Sequence, residues 1–107
     1  MAKIIFVHYR KEGITREEMT AAWSDDTQLS IISRLPGLTK WLQNHVVSPG
    51  DDASNDGIGE LWFESDEALE EAINSDVWKE AVEDARRYID LERSGAIIVK
   101  EKMMIER

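Results

Sequence analysis

The chain has 107 residues, no cysteine and a formal net charge of −9. That length fits one domain spanning residues 1–107, and the lack of cysteine excludes a disulfide framework, a thiol nucleophile and a thiolate metal site. The acidity, with no Lys or Arg cluster to offset it, argues against nucleic acid or an anionic membrane as a partner.

Residues 3–10 open the chain with Ile4 and Phe6 on one face and Ile5, Val7 and Tyr9 on the other, the pattern of a strand covered on both sides. The apolar run Ile4 to Val7 is shorter than the roughly 7–15 residues of a signal peptide core or the roughly 20 of a membrane span, which predicts a cytoplasmic location. Thr15 and Glu18 have the spacing of a capping box, so a helix starts there and buries Met19, Ala22 and Trp23. Asp25 or Asp26 is placed to cap a continuation that buries Ile31, Ile32 and Leu35; one bent helix and two separate helices both satisfy the pattern.

Pro36-Gly37 ends that segment. Residues 38–47 alternate as a second strand, with Thr39, Trp41, Gln43 and His45 on one face and Leu38, Lys40, Leu42, Asn44 and Val46 on the other. Residues 48–56, rich in Pro, Gly, Ser, Asn and Asp, read as an exposed loop closing a long hairpin. A third strand covers residues 58–63 and runs into a helix that starts near Ser65 and buries Ala68, Leu69, Ala72 and Ile73. Asp76 is in position to cap the next helix, whose Val77, Trp78, Ala81, Val82, Ala85, Tyr88 and Ile89 follow helical spacing. Residues 96–100 form the fourth strand.

This order predicts an α+β fold: a ferredoxin-like β-α-β-β-α-β unit with a four-stranded antiparallel sheet. Its helices cover one sheet face, yet the strands carry apolar residues on both. A second copy offering the same face is the simplest cover, so a homodimer through the open sheet face is expected.

The turn Leu35-Pro36-Gly37-Leu38, followed by Trp41 and Asn44, and the strand-to-helix run Gly59-Glu60-Leu61-Trp62-Phe63 with Ser65, Ala68 and Leu69, resemble the EthD-like family of the dimeric α+β barrel superfamily. Ser75-Asp76-Val77-Trp78 adds to the likeness, which covers nearly the whole chain. The resemblance implies a dimeric α+β barrel with a pocket in each protomer for a small organic molecule, and chemistry without metal or bound cofactor. It is loose about the reaction. Family members often carry a histidine seven positions before the turn's first residue, where this chain has Gln28. The related methylmuconolactone methylisomerases have an aromatic hydroxyl where this chain has Trp41. Glutamine does not titrate and indole is no phenol, so both would bind a ligand and move no proton.

The remaining candidates come from the residues themselves. His8 and His45 are the two histidines, each able to titrate near neutral pH or to sit as a hydrogen-bonded strand residue. Glu60, in mid-strand, suits a base paired with His8 if desolvated, or a salt bridge at a dimer seam. Trp23, Trp41, Trp62 and Trp78 suit either an aromatic pocket or ordinary core packing. The expected site is therefore His8 and Glu60 for proton transfer, with Gln28, Trp41, Trp62, Trp23 and His45 binding the substrate. No motif for nucleotide, zinc, calcium or a serine nucleophile is present. The function this predicts is a cofactor-independent isomerase or oxygenase acting on a small hydrophobic compound; a non-catalytic binding protein of the same fold is the alternative.

Overall fold

The computed structural model describes residues 1–47 and 55–107. Strand β1 (Ala2–His8) leads to helices α1 (Arg16–Trp23) and α2 (Asp26–Ile32), strands β2 (Leu38–His45) and β3 (Gly57–Phe63), helices α3 (Asp66–Ile73) and α4 (Asp76–Ala85), and strand β4 (Gly95–Val99). The strands form one sheet in the order β2-β3-β1-β4, every neighbour antiparallel. This is the ferredoxin-like α+β arrangement.

Local chemistry explains the boundaries. Thr15 and Glu18 close their capping box, each side chain taking the other's backbone N–H. The segment after α1 is a separate helix, because the Asp25 carboxylate accepts the N–H groups of Thr27 and Gln28 and starts a new turn. For α4 the cap is Ser75 rather than Asp76: the Ser75 hydroxyl accepts from the N–H of Trp78, and Asp76 is the first helical residue. Gly37 turns the chain into β2 with a φ of 74°, and a Cβ there would lie 2.7 Å from that of Ala68. Glycine satisfies both demands.

One sheet face carries the core. Ile4, Leu61 and Phe63 pack against Ile31, Ile32, Leu35, Leu69 and Ala81 from the helices. Phe63 is fully buried, which alone is worth about 1.5–3 kcal/mol. A second cluster joins Met19 and Trp23 of α1 to Ala85, Tyr88 and Ile89 at the end of α4. The bulge between Leu38 and Lys40 corrects the simple alternation of β2: Leu38 pairs with Phe63 and Trp41 with Leu61, so Leu38 joins Trp41 on the core side.

The opposite face carries Lys3, Ile5 and Val7 of β1, Leu42 of β2, Ile58, Glu60 and Trp62 of β3, and Ile97 of β4. Ile97 is 58% exposed. Trp62 is buried here because the ammonium groups of Lys3 and Lys40 lie 4.4 and 4.5 Å from its ring, a cation–π arrangement. Among the described residues no helix is long and apolar enough to cross a membrane.

Of the loop expected at residues 48–56, residues 48–54 lie outside the described residues. Asp56 departs from the expectation: it is buried. Its carboxylate accepts from the Arg10 N–H at 2.8 Å, from Arg10 Nη1 at 2.9 Å and from Arg16 Nε at 3.1 Å. Burial pushes this carboxyl up, but the hydrogen bonds and charges of Arg10 and Arg16 outweigh it and hold Asp56 below its ordinary value. Its own N–H donates to the His8 carbonyl. Asp56 therefore ties the end of β1 and the start of α1 to the chain entering β3.

Candidate functional site

Between the core face of the sheet and the helices is a pocket of about 110 Å3. Phe6 and His8 of β1, Trp41 of β2 and Gly59 of β3 line it from the sheet, and Trp23, Gln28 and Trp78 from α1, α2 and α4. Among the described residues no Lys, Arg, Asp or Glu is in the lining. Such a cavity favours an apolar molecule held by a few polar contacts.

Glycine makes the pocket's floor possible. A Cβ on Gly57 would lie 2.7 Å from Trp23 Cζ3, and one on Gly59 would lie 3.2 Å from Trp23 Cζ2. Without those atoms the Trp23 indole lies directly on β3 and closes one side of the site. The Trp23 carbonyl accepts from Gln43 Nε2 at 2.9 Å, which ties the end of α1 to β2.

His8 is packed among rings. It stacks on Phe6 with centroids 5.6 Å apart and planes at 11°, and meets the edge of Trp23 at 5.2 Å and 79°. Burial among these groups pushes its pKa from the ordinary 6.5 down to about 4, so the imidazole is neutral at pH 7. Its Nδ1 is buried without a hydrogen-bond partner among the described residues, and so is Oε1 of Gln28. Buried polar atoms are nearly always paired. Here two unpaired ones belong to residues lining a single apolar pocket.

The structure thus brings His8, Gln28, Trp23 and Trp41 of the expected site together. It separates the others. Glu60 pairs in register with Ile5, while His8 pairs with Gly57; strand alternation puts Glu60 on the opposite sheet face from His8. There the expected proton-transfer partner is a salt bridge instead. Lys3 Nζ lies 2.6 Å from its carboxylate and Asn44 donates to it at 2.9 Å. Those two bonds hold the Glu60 carboxyl below its ordinary value, so it is an ion and not a poised base. Trp62 shares that face, and its indole N–H donates to Glu101, so it does not line the pocket. His45 is exposed and is not a lining residue, its Nε2 2.8 Å from Gln43 Oε1 and its ring 5.6 Å from Trp23. Phe6 and Trp78 were not among the expected binding residues, yet both line the pocket with ring centroids 5.9 Å apart. The parity of Phe6 with His8 on β1 is the sequence signal that would have found it. Among the described residues no three His, Cys, Asp or Glu side chains gather as a metal site.

No protein-family model matches the chain, and no curated protein sequence does either. Solved structures do. An EthD family protein from Bacillus halodurans superposes with a TM-score of 0.77 at 20% identity, over 95% of this chain and 99% of that one. SnoaB, a cofactor-independent oxygenase from Streptomyces nogalater, gives a TM-score of 0.68 at 9% identity over 99% of this chain and 97% of its own. A dimeric protein of ferredoxin-like fold from Bacteroides fragilis gives 0.69 at 9% identity, over 94% and 95%. The chain shares the EthD-like fold. At these identities the likeness carries the architecture, and the pocket's chemistry rests on this chain's own residues.

Proposed function

We propose that the pocket between sheet and helices binds a small hydrophobic organic molecule and that His8 moves a proton there, in cofactor-independent chemistry of the oxygenase or isomerase type. The observation that carries this reading is the pair of unpartnered buried atoms, His8 Nδ1 and Gln28 Oε1, in an otherwise apolar pocket. A neutral imidazole can accept a proton from a substrate hydroxyl or activated C–H. The anion formed beside it would then raise the imidazole's affinity for that proton. Starting from a pKa near 4, transfer from a group of pKa about 7 costs about 4 kcal/mol, small beside the barrier lowering that enzymes supply. The fold shared with a cofactor-independent oxygenase supports the same reaction class.

The low basicity of His8 favours a second reading, a binding protein that holds its ligand without turning it over. Oxygen-uptake and product assays on compounds that form resonance-stabilised anions, run in chelator-treated buffer, separate the two. Catalysis requires that His8→Phe lower turnover by about a hundredfold or more. Unchanged turnover removes His8 from the chemistry, and tight binding with no turnover supports the binding protein.

The open sheet face supports a homodimer: Ile5, Val7, Leu42 and Ile58 are half-buried there and Ile97 is exposed, and a neighbour of the same fold is dimeric. Light scattering at micromolar concentration should give twice the mass of the 12.3 kDa chain, and Ile97→Glu should lower it. A wild-type monomer would contradict the proposal.

A further inference from the structure

Resting on the ligand-pocket reading above, we infer that Gln28 sets the pocket's selectivity: the site admits an uncharged aromatic ligand whose hydroxyl donates to Gln28 Oε1, and turns away carboxylates. Gln28 is only 6% exposed, on α2. Its Oε1 is a buried acceptor with no donor among the described residues, so a ligand that brings an O–H relieves a standing cost and one that brings only acceptors does not.

The lining argues the same way. Phe6, Trp23, Trp41 and Trp78 present ring surfaces, which suit a flat, apolar body. Among the described residues no cationic side chain lines the pocket, so a carboxylate entering it would lose its water without gaining a counter-charge. Turning the Gln28 amide by 180° would offer the carboxylate an N–H, but a single neutral donor does not replace a counter-ion. The volume of about 110 Å3 is of the same order as the roughly 150 Å3 apolar cavity that takes benzene, so a ligand larger than a single ring is not expected.

Three probes that share one methylphenyl skeleton test the inference: 4-methylphenol, toluene and 4-methylbenzoate, titrated at pH 7.5 and followed by protein NMR. The expected result is a Kd for 4-methylphenol at least tenfold below that of 4-methylbenzoate. In Gln28→Leu the 4-methylphenol Kd should rise to that of toluene. The two aromatic hydrocarbon skeletons are identical, so this convergence isolates the hydroxyl. Equal or tighter binding of 4-methylbenzoate to the wild type overturns the selectivity and leaves the ligand pocket standing. So does an unchanged 4-methylphenol preference in Gln28→Leu. Binding of none of the three overturns both.

Discussion

A buried, neutral His8 makes folding sensitive to mild acid. The unfolded chain titrates its imidazole near the ordinary 6.5, while the folded chain resists until about 4. A folded pKa below the unfolded one means that the unfolded state binds more protons between the two values. Stability from this group is therefore complete above about pH 6.5 and falls as the pH drops towards 4. At 1.36 kcal/mol per pH unit the whole effect is about 3 kcal/mol, and about 2 kcal/mol of it is lost between pH 7 and 5. The carboxyls of Asp56 and Glu60 lie below their ordinary values of 3.8 and 4.5, so they contribute little to the change in that window. Urea denaturation at pH 7, 6 and 5, at one protein concentration, measures it. The wild type should lose about 2 kcal/mol more than His8→Leu across that range. Parallel pH profiles for the two proteins would refute the claim that His8 is desolvated and neutral.

Two further substitutions probe the scaffold. Asp56→Ala withdraws the carboxylate from both guanidinium groups and from the Arg10 N–H; because the Arg10 side chain is 27% exposed, the expected cost is about 2 kcal/mol rather than the 3–5 of a fully buried pair. That cost is full at neutral pH and fades as the pH falls below about 3.8, where the unfolded carboxyl titrates and then the folded one; thermal or urea unfolding at pH 7 and pH 3 should show it shrinking. Gly37→Ala combines a φ of 74° with a Cβ only 2.7 Å from that of Ala68, and should cost about 2 kcal/mol or more in the same unfolding assay.

The element order was readable because each signal is local. The Thr15–Glu18 box, the Pro36-Gly37 turn and the apolar spacing of α4 all act within a few residues. The choice of sheet face was harder. Alternation shows that Glu60 and Trp62 share a face and that Gly59 and Leu61 share the other, but not which of the two the helices cover. That is decided by the register of β1 on β3, which sets Ile4 against Leu61 and Ile5 against Glu60. The glycines were a missed clue: Gly57 and Gly59, of one parity with Leu61 and Phe63, mark the crowded side where Trp23 lies on the sheet. Asp56 gave no local sign of burial, since its partners lie 46 and 40 residues away in sequence. The pocket itself depends on how six separate elements meet, and the unpaired atoms of His8 and Gln28 exist only once they do.

Intermolecular NOEs between 4-methylphenol and the isotope-labelled protein test the ligand pocket most directly. The account predicts contacts from the ligand ring to Trp23, Trp41 and Trp78, with shifts at the His8 imidazole and the Gln28 side-chain amide. Contacts confined to Trp62 and Lys40 on the opposite sheet face, or no contacts at all, would contradict it.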